Sequence, residues 1–204
     1  MKKLTSFLLT LCMILSIAPA SVFADTTEFN SINVNVTIAQ NGQFVTGNDV
    51  KIAHIPIEVA DRNKDSKYDI DEVLYATHEA YYEGGAASGY ASAETAYGLS
   101  LAKLWGDESG SFGYYVNNSS AWSLGDAVED GDHVYAFIYQ DTTGWSDEYS
   151  FFESDAATIN YGDSLTLKLQ KNGYDEDYNT VISAVQNATV TVNESVTSYQ
   201  TNED

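Results

Sequence analysis

This sequence predicts an α+β protein, with one main helix against a sheet and an all-β segment behind it. Three observations carry the prediction. Apolar and polar residues alternate over 32–38 and again over 55–59, the period of half-buried strands. The run 70–81 then switches to helical spacing. Alternation returns at 99 and recurs almost to the end of the chain.

The chain opens on a leader. Lys2 and Lys3 form a basic start, 7–17 is an uncharged apolar core, and Val22-Phe23-Ala24 is a small-residue cleavage pattern before Asp25. The core is too short for a membrane span, which needs about 20 residues. The expectation is a signal peptide over 1–24 and a secreted or cell-surface protein from residue 25 on, with no later membrane span. The single cysteine, Cys12, lies in the leader, so disulfides, thiol catalysis and cysteine-bound zinc are not expected of the remainder. The formal charge of the whole chain is −21, and loss of Lys2 and Lys3 makes it two units more negative. Nucleic acid and anionic lipid select basic surfaces, so neither is an expected partner.

In the first strand Ile32, Val34, Val36 and Ile38 point one way, and Asn41-Gly42 follows as a hairpin turn. Ile55, Ile57 and Val59 form the second strand and lead into an acidic segment. The helix places Ile70, Val73, Leu74, Thr77, His78 and Tyr81 on one face. Asp69 is its N-cap with Glu72 three residues on, and Gly84-Gly85 is expected to stop it. A small-residue loop over 86–96 precedes three strands at 99–104, 112–116 and 134–139. Beyond 152, alternation at Leu165, Leu167 and Leu169 and at Ala188, Val190 and Val192 predicts further strands. This tail is about 50 residues long, short of the ~100 of a complete sandwich.

The segment that carries chemistry is 61–72. Oxygen donors fall at its first, third, fifth, ninth and twelfth positions, Asp61, Asn63, Asp65, Asp69 and Glu72, and Lys67 would offer its carbonyl at the seventh. A hard cation needs six to eight oxygens at about 2.3–2.6 Å, and a tightly coiled loop closed by a carboxylate on the next helix turn supplies them. The loop resembles the dockerin and EF-hand type, which implies one calcium ion. It departs from that type at Ser66, where glycine is usual, and at Tyr68, where an aliphatic residue is usual. It is entered from a strand and has no partner loop, so cooperative sensing is not expected.

A second resemblance covers about 31–139. The stretches GLSLAKLWG, FGYYVNNSSAWSLGD and DGDHVYAFIY, within 98–139, resemble a bacterial domain related to the transcobalamin C-terminal domain. That resemblance implies a β-grasp fold of the soluble-ligand-binding group. Its motifs are a Tyr-Val-Asn strand and a Gly-Asp turn, so no cobalamin contact carries over to a residue here. The stretches GDSLTLKL and NATVTVNES look like the opening of a bacterial immunoglobulin-like repeat. The expected organisation is then a β-grasp-like domain over 25–151, with the calcium loop inside it, and a partial immunoglobulin-like segment over 152–204.

Other chemistry is weakly signalled. His78-Glu79 begins a zinc-protease pattern, but position 82 is tyrosine, so His78 reads as a packed helix residue. His54 and His133 are isolated in sequence. The pairs Asp107/Glu108 and Asp147/Glu148 read as solvated turns, not as glycosidase acids. Tyr114, Tyr115, Trp122, Trp145, Tyr149, Phe151 and Phe152 are either core aromatics or an exposed platform. Together these features read as a non-catalytic binding or adhesion module with one structural Ca2+ and an extracellular protein or glycan as partner. The alternative is a carbohydrate-binding module that uses the aromatic cluster. A small secreted hydrolase is the third reading, and no nucleophile–base signature supports it.

Overall fold

The computed structural model describes residues 31–154, 156–177, 179–192 and 195–203. The leader and its cleavage site after Ala24 lie outside the described residues. Among the described residues no helix is long and apolar enough to cross a membrane. The fold is β-rich, with several small sheets and little helix.

The main sheet is built on β1 (Ser31–Gln40). Asn41 and Gly42, both at positive φ (53° and 65°), turn the chain back into β2 (Gln43–Phe44), the two-residue hairpin that the Asn-Gly pair encodes. A small second hairpin follows, β3 (Thr46–Gly47) and β4 (Val50–Lys51). β5 (Ile55–Ala60) then pairs antiparallel with β1 from Ser31↔Ala60 to Val36↔Ile55. Helix α1 (Ile70–Tyr81) comes next, then a short turn of helix, α2 (Ala86–Gly89). The hairpin β6 (Ala91–Thr95) and β7 (Gly98–Lys103) stands apart from the main sheet. β8 (Phe112–Val116), β9 (Ser119–Ser120) and β10 (His133–Ile138) complete the sheet. β10 lies parallel to β1 and antiparallel to β8. Across the sheet the order is β5-β1-β10-β8, with a parallel pair at the centre.

One face of that sheet makes the core. Val34, Val36, Ile38, Ile57, Val59, Val134 and Ala136 pack with Ile70, Val73 and Leu74 of α1. The helix stripe read from the sequence is therefore the buried one. The other face is aromatic. His133, Tyr135 and Phe137 alternate with the core residues of β10, and Tyr149 stacks on Tyr115 at 3.9 Å and 9° between planes.

Three expectations are corrected. The stretch 86–96 holds α2 and the whole of β6, because Gly85 N-caps a helical turn and Ala91–Thr95 find a partner in β7. Helix α1 ends at Tyr81, its C-cap Tyr82 is already extended, and Gly84 and Gly85 (φ 84° and 70°) make the turn after it. Leu165 and Leu167 lie outside any strand and are exposed, since among the described residues no strand pairs with them. The C-terminal strands are β11 (Ser150–Phe152), β12 (Leu169–Tyr174), β13 (Thr180–Ala184), β14 (Thr189–Val192) and β15 (Ser195–Gln200). They form two small antiparallel sheets, β11-β12-β13 and β14-β15.

The β3–β4 hairpin is locked to the end of α1. Asn48 Nδ2 donates to the Ala80 carbonyl at 2.9 Å, and a Cβ on Gly47 would collide with the Tyr81 carbonyl oxygen. Backbone cannot yield as a side chain can, so Gly47→Ala is expected to cost about 2 kcal/mol. Urea unfolding measures this, and a loss within experimental error of zero would mean that the hairpin is free to move away.

Candidate functional site

The loop 61–72 is organised by its own carboxylates. Asp61 gathers three amides: Lys64 N–H (2.6 Å) and Asp65 N–H (3.2 Å) donate to Oδ1, and Ser66 N–H (2.8 Å) donates to Oδ2. Asn63 Oδ1 accepts from Asp65 N–H and Asp65 Oδ1 from Lys67 N–H, both at 2.9 Å. Asn63 and Asp65 thus each cap the amide two residues on, Asp61 caps those three to five on, and the chain coils tightly. Lys64 and Ser66 take positive φ (63° and 67°) to allow it. Ser66, where glycine is usual, thus takes a strained left-handed backbone, and Lys64 shares it.

Helix α1 closes the loop. Asp69 is the N-cap and accepts from Glu72 N–H at 2.9 Å. The Glu72 carboxylate does not complete the capping box. It turns toward the loop entrance, where Oε1 accepts from Arg62 N–H (2.5 Å) and Asn63 N–H (3.2 Å). Glu72 is only 2 % exposed, and its Oε2 is buried without a hydrogen-bond partner. A buried charged oxygen in that position is costly unless something compensates it. Burial, and then the Asp69 and Asp61 carboxylates, raise the Glu72 carboxyl above its ordinary range against the lowering effect of the two amides. Asp69 is raised too, chiefly by burial.

Neighbouring residues brace the site in ways the spacing does not encode. Arg62 sits 3.3 Å above the Tyr75 ring and 3.8 Å from Asp71, whose Oδ1 accepts from Tyr90 OH at 2.7 Å. Asp71 is thereby engaged by Arg62 and Tyr90. The loop exit is tied to 124–128: Val128 N–H donates to Tyr68 O (2.9 Å), and Asp71 N–H donates to Leu124 O (2.9 Å). Tyr68, the departure at position eight, packs against the core beside this seam.

The six predicted ligand positions fall on one loop and one helix turn. Among the described residues no three His, Cys, Asp or Glu side chains form a ready-made metal cluster. Asp61 and Asp65 point their oxygens at loop amides. Each carboxylate oxygen carries two lone pairs, so amide capping and cation ligation can share it.

The other candidates resolve simply. Glu108 pairs with Lys103 at 2.7 Å, Glu148 with Lys171, and Asp107 caps Ser109 N–H. His78 is fully buried. His54 and His133, far apart in sequence, meet edge to face at 4.5 Å, with the Thr37 hydroxyl 2.8 Å from His133 Nε2. No protein-family model, curated protein or solved structure matches the chain.

Proposed function

We propose that this chain is a secreted or cell-surface, non-catalytic binding module of β-grasp type, stabilised by one calcium ion in the loop 61–72. The observation that carries the metal is the Glu72 carboxylate, buried, with one oxygen held by loop amides and the other unpartnered. A hard cation would take that oxygen together with the Asp61, Asn63, Asp65 and Asp69 side chains and the Lys67 carbonyl. The β-grasp and transcobalamin-like reading draws support from the order β5-β1-β10-β8 around a parallel centre, with α1 on the connection.

The ion is structural in this reading. It would link the end of β5 to the start of α1, and nothing in the loop pairs it with a second such site. Ser66 at positive φ lowers affinity toward the ~10⁻⁴–10⁻³ M of extracellular modules. Calorimetric titration of the metal-free protein with calcium is expected to show one site in that range, and magnesium, which needs a tight octahedral shell, is expected to give little heat. Absence of heat at millimolar calcium would reduce 61–72 to a self-capped loop.

A further inference from the structure

We propose that the cleft between β8, β12 and the 141–149 loop is a binding site for neutral saccharides, with Trp145 and Tyr174 as its stacking surfaces. This deepens the binding-module reading and rests on it. The cleft has a volume of about 540 Å3, and Tyr115, Tyr139, Trp145, Asp147, Asn172 and Tyr174 are among its lining residues. That volume accommodates a ligand of more than one sugar ring.

Trp145 is the first argument. The residue is 60 % exposed, yet its backbone sits at φ 52°, a conformation that bulky residues seldom adopt. The loop holds it there by a dense set of bonds. Trp145 N–H donates to Asp141 O (3.0 Å), and Asp141 Oδ1 accepts from Thr143 and Gly144 N–H (3.1 and 2.7 Å). Asp147 Oδ2 in turn accepts from Asp141 N–H at 2.8 Å. An exposed indole on a fixed, strained loop contributes little to packing, and strain of this kind collects at ligand sites. The ring stands edge to face with Tyr139 at 5.2 Å. Tyr174, which also lines the cleft, is 61 % exposed.

The polar groups are the second argument. The Tyr115, Tyr139 and Tyr174 rings all line the cleft with the Asp147 carboxylate. Burial, and then the neighbouring Tyr139 and Tyr174, push the Tyr115 phenol up to about 12, which fits hydroxyls gathered in one place. Asn172 donates from Nδ2 to Asn118 O at 2.7 Å, while its Oδ1 is buried without a partner. A pyranose offers an apolar C–H face to aromatic rings and hydroxyls to phenols, amides and carboxylates alike.

Charge selects among sugars. Asp147 and Glu148 line the cleft, and among the described lining residues there is no lysine or arginine; Lys171 pairs with Glu148, so Asp147 carries the uncompensated charge. Sulfated and sialylated glycans would meet like charge there.

The test titrates the calcium-loaded protein with cellotetraose, maltotetraose and tetra-N-acetylchitotetraose, beside a sulfated tetrasaccharide and a proline- and arginine-rich peptide. Saturable binding of at least one neutral sugar is expected, and none of the sulfated one. Trp145→Ala and Tyr174→Ala should each weaken it about tenfold, and Trp145→Phe should restore most of the loss. Tyr97→Ala, at an 88 % exposed residue outside the lining of the cleft, should leave binding unchanged. No heat from any neutral sugar, binding insensitive to Trp145→Ala, or binding of the peptide alone overturns the proposal. Calcium calorimetry on the same protein tells its failure apart from failure of the metal reading.

Discussion

Glu72→Gln is expected to abolish calcium-dependent stabilisation and to leave the metal-free protein at least as stable as wild type. The two signs come from one carboxylate. Glutamine keeps Oε1 as acceptor for the Arg62 and Asn63 amides. It replaces Oε2, the buried oxygen without a partner, by an uncharged amide. Without metal, that removes a charge that burial and the Asp69 and Asp61 carboxylates already disfavour. With metal, it removes the ligand that closes the shell. At a calcium concentration about 100 times the Kd, wild type should gain roughly 2.7 kcal/mol over the chelated protein. For a chain of this size that is roughly 5–10 °C in Tm. Melts of wild type and variant, each with calcium and with chelator, give all four values. Coincident shifts in the two proteins would remove Glu72 from the metal site.

The second large effect is loss of stability in mild acid, centred on His78. The Trp105 N–H points at Nε2 (3.0 Å), so that nitrogen must be the acceptor, and Nδ1–H donates to Leu74 O at 2.6 Å. Both ring nitrogens are committed in the neutral form. A second proton would face an N–H and would place a charge among Tyr82, Tyr90 and Trp105. Burial accordingly lowers its pKa from 6.5 to about 4, against a smaller raising effect of the Leu74 carbonyl. The unfolded chain takes up the proton near 6.5 and the folded one only near 4. Stability is therefore full above pH 6.5, falls through that window, and levels off below about 4. The accumulated loss is roughly 3 kcal/mol at ~1.4 kcal/mol per pH unit. Urea unfolding across the window measures the slope, and the His78 ring resonance should stay neutral down to pH 5. A His78 signal that titrates near 6.5 would show that the ring is solvated.

What the sequence discloses follows from the range of the forces involved. β1, β5 and α1 are legible because periodic burial writes itself into local spacing. The loop 61–72 is legible for the same reason: its donors lie within twelve positions. Leu165 and Leu167 alternate like a strand, but a strand exists only where another pairs with it. Conversely Ala91–Thr95, small and polar, become a strand because β7 lies beside them. The seam from 124–128 to the loop exit, Arg62 over Tyr75, and the meeting of His54 with His133 are long-range contacts with no local trace. The unpartnered Glu72 oxygen is of that kind too, since burial of a glutamate is invisible in its spacing.

The parallel pair at the centre of the sheet also dictates an order of assembly. Asn35 meets His133, so closing the sheet ties off a loop of about a hundred residues, an entropic cost met only once most of the chain is present. The β1–β5 hairpin and α1 lie close together in sequence and can form first. Until β10 arrives, β1 presents an unpaired apolar edge, open to a strand from another molecule. The time the nascent chain spends in that state sets its exposure to aggregation, and anything that stabilises the early hairpin–helix unit shortens it.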